Sequence, residues 1–340
     1  MQRFWDGQKL STPFSVSAKM KNRGYSLLLE RIITDFGADI SFGQVVEKLK
    51  EHYGITISAS AVQNITKKHA QACYDMLEKE ANLPSEKKAK YIIGELDGAM
   101  IPILFFEKNE NSDRRKWRKT SWKEARLSFA KEKGSLNKFF LATLGSTERA
   151  GELLGRCAKK IGWNDNTKIH CLGDGARWIN EQVDHIFGTQ GKYLIDFFHL
   201  SEYLAAAATN CCKKYSKKWL KQQQEKMKEN KVSEVLKELK NNIEPDTIKE
   251  SNAPVRKCCR YIENRPGQFN YREAINEDLP IGSGEIESGN RSVVQKRLKI
   301  PGAWWNITTA ENMLALRCLR INGDWLKYWK HVSKSFEYAA

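Results

Sequence analysis

Apolar residues recur at helical spacing between residues 20 and 80. Tyr25-Ser-Leu-Leu-Leu-Glu-Arg-Ile-Ile33 begins a run that breaks at Gly37, which predicts one helix. Ser41 is placed to cap a second, whose members Phe42, Val45, Val46, Leu49 and His52 follow the i, i+3, i+4, i+7 rule. That helix should stop at Tyr53-Gly54, where glycine can adopt the left-handed C-cap conformation. Ser58-Ala-Ser60 opens a third, Ala61 to Ala70, with Lys67-Lys68 toward its end. Two short helices, a glycine-containing turn and a polar second helix form a helix-turn-helix pattern. An ordinary three-helix bundle gives the same pattern.

After a polar stretch around Pro84 the period changes to that of strands. Tyr91–Asp97, Trp122–Phe129 and Lys138–Leu144 read as three successive strands. A helix over Ser146–Ile161 follows, then a fourth strand over Lys168–Gly173, a helix over Trp178–Phe187, and a fifth strand from Tyr193 through Asp196 to Phe198. Three consecutive strands followed by alternating helix and strand predict an α/β mixed sheet covered by helices. Strand signal then ceases. Lys213–Lys240 is rich in Lys, Gln and Glu and reads as long solvated helix, and Pro280-Ile-Gly-Ser-Gly leads into a last helical segment through Leu298. No internal repeat is visible.

Composition narrows the class. The 340 residues are 41% hydrophobic and 10% aromatic, which excludes a disordered chain. No apolar run approaches the roughly 20 residues that span a bilayer, and the Met1-Gln-Arg-Phe start lacks a signal-peptide pattern. The expectation is a cytoplasmic protein without a membrane partner. The eight cysteines include no C-x-x-C and read as buried small residues. A zinc site joining Cys211-Cys212 to Cys258-Cys259 would match no known ligand spacing. Fifty-seven Lys+Arg against 41 Asp+Glu leave a net charge of +16, which favours a polyanionic partner, nucleic acid being the commonest.

Three carboxylates stand where chemistry is expected. Asp97 closes the first predicted strand and precedes Gly98; Asp174 closes the fourth between Gly173 and Gly175; Glu287 lies just inside the helix that Gly282-Ser283-Gly284 begins. Ligands of α/β sheets bind at strand ends, and glycines allow close approach to the backbone. Together the three would offer hard oxygen ligands to two Mg²⁺ ions, with Mn²⁺ able to substitute, for in-line phosphoryl displacement. Each alone also fits a structural role, since Asp-Gly is a common turn and acids suit helix N-termini. Glu285 competes with Glu287. Two helical positions rotate a side chain by about 200°, so both cannot face one metal pair, and Glu285 better suits the helix dipole.

Leu96-Asp97-Gly-Ala-Met-Ile-Pro102, Trp122-Lys-Glu-Ala-Arg-Leu, Gly173-Asp174-Gly-Ala-Arg-Trp-Ile179, Asp196-Phe-Phe-His199 and Pro280-Ile-Gly-Ser-Gly-Glu-Ile-Glu287-Ser together resemble the ISKra-type bacterial insertion-sequence DDE transposases. Gln295-x-Arg297-Leu-Lys299, Ala315-Leu-Arg317 and Asn322-Gly-x-Trp325 resemble that family's C-terminal pattern, so the likeness runs from about residue 35 to 330. The resemblance implies an RNase H-like core with a DDE triad at Asp97, Asp174 and Glu287. It also implies a supporting element, Asp196-x-x-His199, and an all-α insertion. The expected divisions are a helix-turn-helix domain over 1–85, the first part of the core over 90–200, the insertion over 201–278, and the final catalytic and C-terminal helices over 279–340.

The basic residues can then be given work. Ser60, Gln63, Lys67 and Lys68 would read terminal inverted repeats of double-stranded DNA. Arg114, Arg115, Lys116, Arg118 and Lys119, interleaved with Trp117 and near Trp122, would hold phosphates beside a stacked base; a solvated loop is the other reading. Arg291, Lys296, Arg297 and Lys299 would grip the substrate backbone near the acidic centre. The expected protein is a transposase of the bacterial nucleoid, paired as a homo-oligomer when two element ends are joined. The competing expectations are a truncated or inactive transposase-derived DNA-binding protein and an RNase H-like nuclease of junctions or hybrids.

Overall fold

A computed structural model describes residues 4–5, 10–11, 24–80, 87–107 and 113–337, so the linker around Pro84 falls outside the described residues. Helices α1 (Leu27–Gly37), α2 (Phe42–Tyr53) and α3 (Ala59–Glu80) lie on the three predicted helical runs, α2 beginning directly after Ser41. Ser26 accepts from Leu29 N, Ser41 and Gln44 form a capping box, and Gly54 ends α2 at φ 64°. Ile33, Val45, Leu49, Ile57, Val62 and Ile65 bury one another in a small core of their own. The third helix differs from expectation. It runs to Glu80 instead of ending near Ala70, because Ala70, Cys73 and Leu77 continue the apolar face and join the main core.

The sheet holds β1 (Tyr91–Phe106), β2 (Arg118–Glu132), β3 (Lys138–Thr143), β4 (Lys168–Gly173) and β5 (Gly191–Ile195). Its order is β3-β2-β1-β4-β5, with β2 antiparallel to both neighbours and β1, β4 and β5 parallel. All five predicted strands are present. β1 overruns its predicted end at Asp97 because Ala99 to Phe106 is apolar and pairs with β2 as far as Phe106↔Arg118. That extended arm projects beyond β4, whose ladder with β1 stops at Glu95↔Leu172. Trp305 pairs with the arm through Leu104 N to Trp305 O at 2.8 Å.

Helices α4 (Thr147–Ile161) and α5 (Arg177–Phe187) follow β3 and β4. Helix α6 (Phe197–Cys211) starts directly after β5, so Asp196 is a helix N-cap and not a strand residue. The predicted long helix over 213–240 is two, α7 (Ser216–Lys228) and α8 (Val232–Lys240), divided where Asn230 takes φ 61°. Helices α9 (Pro254–Glu263) and α10 (Tyr271–Asn276) complete the helical block. Then α11 (Gly284–Gly289) passes through a π-helical segment, Asn290–Gln295, into α12 (Lys296–Leu298), and α13 (Ile307–Ile321) and α14 (Trp325–Glu337) close the chain. No helix among the described residues is long and apolar enough to cross a membrane.

α4 and α11 lie on opposite faces of β1. A Cβ on Gly94 would meet Leu154 of α4 at 3.3 Å, whereas Glu95, one residue on, meets Ile286 of α11. Gly289 lets α11 sit close, since a Cβ there would stand 2.6 Å from the Phe140 ring.

Candidate functional site: an acidic centre under helix α11

The parallel pairing of β1 and β4 keeps a constant offset, from Tyr91↔Lys168 to Glu95↔Leu172. The ladder ends there; Asp97 follows two residues later within β1, and Asp174 directly follows Gly173, the last residue of β4. Period-2 alternation turns Glu95 and Asp97 to the face that α11 crosses. Asp97 Oδ1 accepts from its neighbour Gly98 N at 2.7 Å, and Oδ2 accepts from the side-chain amide of Asn290. Burial lifts the Asp97 carboxyl above the ordinary aspartate range, and the charges of Asp174 and Glu287 push the same way, against the Gly98 and Asn290 hydrogen bonds. The structure thus brings these three predicted carboxylates within electrostatic reach of one another.

The Asp174 turn is braced from the helical block. Asp174 Oδ1 accepts from Ala176 N at 2.8 Å, and its carbonyl accepts from Tyr261 Oη at 2.8 Å. Arg265 donates to Gly175 O at 2.7 Å and its guanidinium lies 4.0 Å from the Tyr261 ring centre. Gly175 itself stands at φ 86°, and a Cβ there would meet Arg265 Nε and Tyr261 Oη at 2.7 Å each, so the position tolerates only glycine. Residues far along the chain therefore hold the second aspartate in place.

The two glutamates of α11 separate as helical geometry requires. Glu285 ion-pairs with Lys131 at 2.7 Å and Lys138 at 3.1 Å, and the Lys131 hydrogen bond leads in drawing its carboxyl below the ordinary range. Glu287 is exposed and meets Arg291 at 3.9 Å. Ser283 occupies the N-cap position, but its hydroxyl is turned to Asp196 and caps nothing. Buried Glu95 does that work, accepting from Ile286 N at 2.7 Å. Desolvation raises the Glu95 carboxyl to about 8, with the Ile286 N–H opposing and Glu285 adding to the rise. The sequence reading missed Glu95, although an acid two positions before Asp97 in an apolar strand was a visible signal.

Asp196 is a buried fastener. Its Oδ1 accepts from Phe198 N at 2.6 Å and His199 N at 3.2 Å, and its Oδ2 from Ser283 N at 2.7 Å. It ties the start of α6 to the loop that launches α11, which is buttressing and not contact with a substrate. His199 does not share that site: its ring is 44% exposed and faces Glu202 at 3.9 Å.

Basic candidates divide in the same way. Ser60 is exposed on α3, while Gln63 and Lys67, with Ser41 and Trp304, border a cleft of about 380 Å³ between α3 and the loop before α13. Lys68 is engaged, pairing with Glu30 at 2.7 Å. Arg297 corrects its expectation: it is 2% exposed, donates to Gly37 O at 2.9 Å and lies between the rings of Phe42 and Trp305, 4.8 Å from each. It joins α12 to the three-helix unit and offers nothing to DNA. Arg291 and Lys299 are exposed. Arg114 to Trp117 form a 3-10 turn before β2; the side chains of Arg114 and Arg115 lie outside the described residues, Lys116 and Arg118 are exposed, and Lys119 pairs with Glu107 at 3.3 Å.

Among the described residues no three His, Cys, Asp or Glu side chains are already gathered into a metal-binding group. The residues still fit a hard divalent cation. Asp97 carries mutual repulsion with two other carboxylates, and the buried Oδ1 of Asn290, on the amide that touches Asp97, has no hydrogen-bond partner. The cysteines give no comparable site; Cys73, Cys157, Cys171, Cys258 and Cys318 are buried, and burial pushes each thiol up.

Fold and site together define an α/β protein with an acidic centre where two central parallel strands of a mixed sheet part. Over residues 41–335 the sequence matches the family UPF0236, described as an uncharacterised protein family, and the chain belongs to it. No curated protein matches the sequence.

Proposed function

We propose that this protein is a DDE transposase acting on the ends of its own insertion sequence, and that its α/β domain is RNase H-like. The carrying observation is the gathering of three carboxylates where the β1–β4 ladder ends: Asp97 on β1 feels the charges of Asp174, which directly follows β4, and of Glu287 on α11. The finer fold description is supported by the order β3-β2-β1-β4-β5, with three antiparallel strands on one side and the two aspartates on the first strand and directly after the fourth. α1 to α3 would serve as a helix-turn-helix, with Ser60, Gln63 and Lys67 toward the terminal repeats.

Asp97, Asp174 and Glu287 would hold the two Mg²⁺ ions. Bound there, the ions supply Lewis-acid stabilisation of an in-line phosphodiester displacement. The chain's own part is positional. Gly98 and Ala176 backbone N–H groups fix one oxygen each of Asp97 and Asp174, Glu95 and Asp196 anchor the start of α11, and Lys131 and Lys138 keep Glu285 out of the centre. Exposed Arg291 and Lys299 lie along the same helical stretch as Glu287, suited to phosphates on either side of the scissile bond. Pairing two ends would require at least two copies of the chain.

A supercoiled donor plasmid carrying the element's ends tests the proposal. Mg²⁺-dependent nicking at the ends should fall at least ~10³-fold in Asp97→Asn, Asp174→Asn and Glu287→Gln, with DNA binding retained. Glu285→Gln should keep wild-type cleavage. Binding without metal-dependent nicking by the wild-type chain would instead identify a DNA-binding regulator, and structure-selective cleavage without strand transfer a nuclease.

A further inference from the structure

Asn290 is 3% exposed and its amide is half used. Nδ2 donates to Asp97 Oδ2, while Oδ1 is shielded from solvent and has no hydrogen-bond partner. Reversing the amide offers no relief, because it would set Oδ1 against the Asp97 carboxylate, oxygen to oxygen. Buried polar atoms are nearly always paired, so an orphan is a demand for something absent from the protein's own donors.

Its position says what that something is. Asn290 lies three residues after Glu287, so the two side chains leave the helix within about 60° of each other. It is also the first residue of the π-helical segment, a local widening that is common where a helix presents side chains to a ligand. The same amide already touches one acidic side chain, Asp97, and Glu287 lies one turn back on the same helical stretch; ionised carboxylates cannot donate to Oδ1. A hard cation can satisfy all of them at once, and asparagine carbonyl oxygens are ordinary ligands of such ions. A neutral ligand also adds coordination without adding a fourth negative charge to a crowded site.

We propose that Asn290 belongs to the divalent-cation site, its Oδ1 supplying a neutral ligand beside Asp97, Asp174 and Glu287. This rests on the transposase reading only in so far as that reading places a cation among the three carboxylates.

The test is Mn²⁺ binding to the full chain without DNA, followed by electron paramagnetic resonance, with unfolding in metal-free buffer as the check on folding. Asn290→Leu should weaken Mn²⁺ binding ~10–100-fold. Asn290→Asp keeps an oxygen ligand but loses the Nδ2 donor, and should bind Mn²⁺ at least as tightly as wild type. If the amide serves only to hold Asp97, Asn290→Asp will lose affinity as Asn290→Leu does, and the proposal is overturned. Should Asn290→Leu fail to fold, Asn290→Asp decides alone by the same criterion. Loss of binding in Asp97→Asn and Asp174→Asn with wild-type affinity in Asn290→Leu removes Asn290 but leaves the carboxylate site standing. A wild-type chain that does not bind millimolar Mn²⁺ overturns both.

Discussion

Replacing Asp39 with asparagine should loosen the joint between the three-helix unit and the acidic centre. Asp39 lies between α1 and α2, and its carboxylate faces Arg317 in a short ion pair, Arg320 at 3.2 Å and Lys296 at 3.6 Å. Arg317 also donates to Ala38 O at 2.8 Å and to Ser292 O inside the π-helical segment. Its side chain is 8% exposed, so loss of Asp39 strands a desolvated guanidinium. Breaking such a buried pair from one side costs about 3–5 kcal/mol. Asp39 keeps 28% exposure, so water screens part of the pair; Arg317 also retains two carbonyl acceptors, which brings the expectation to about 2–3 kcal/mol. That is roughly a 30–150-fold change in the unfolding equilibrium, measurable by urea titration at pH 7. A cycle with Arg317→Met should return a coupling of at least ~1 kcal/mol. Burial opposes ionisation of Asp39, but Arg320, Arg317 and Lys296 outweigh it and hold the carboxyl below its ordinary value. The contribution should therefore be complete above about pH 4 and vanish as pH falls through the depressed value. A change under ~0.5 kcal/mol for Asp39→Asn at pH 7 would refute the joint.

Two further outcomes follow from the site. Glu95, raised to about 8 in the folded chain, keeps its proton where the unfolded chain has lost it, so its own contribution to stability should be full below about pH 4 and fall as pH climbs toward 8. Glu95→Gln keeps an acceptor for Ile286 N without titrating, and should gain about 2–4 kcal/mol on wild type between pH 5 and 9 in metal-free buffer; parallel pH profiles would reject the buried-acid account. Lys67→Ala should weaken binding of the terminal repeats and flatten the log K against log salt slope by about 1, whereas an unchanged slope in filter-binding or anisotropy titrations would place α3 away from phosphate.

The sequence showed most of what local physics determines. Apolar periodicity, capping at Ser41 and Gly54, and the switch from helical to strand period located α1, α2 and all five strands. Helical rotation set Glu285 and Glu287 on different faces, and a dipole role for Glu285 favoured Glu287 as the ligand; the structure shows Glu285 engaged by two lysines. What local pattern could not supply were partners chosen by tertiary packing. Arg297 looks basic and available in the sequence, yet it is buried because α12 lies against Phe42 and Trp305. Tyr261 and Arg265 stand about 90 residues from the turn they brace. β1 ran past Asp97 because its apolar continuation found a partner strand, so the relevant boundary proved to be the end of the β1–β4 ladder and not of the strand.

Several acids of this chain are matched by facing cations. Glu78 meets Arg149 and Arg156, Glu285 meets Lys131 and Lys138, and Asp39 meets Arg317, Arg320 and Lys296. Each of these carboxyls is drawn below its ordinary range despite some burial. Asp97 is treated in the opposite way. Among the described residues no Lys or Arg forms an ion pair with Asp97 or Asp174, and Asp97 is driven upward by burial, Asp174 and Glu287. In a chain with a net charge of +16, one lysine on a neighbouring strand would relieve that repulsion, as two do for Glu285. Charge left unbalanced at one place, inside a fold that balances it elsewhere, is a local cost of stability that a bound cation would offset. On the proposed function, the same separation would let a basic protein attract a polyanion and still present an acidic centre to it: the positive charge would draw DNA to the surface, and a cation held by the carboxylates would offset their repulsion of the phosphate.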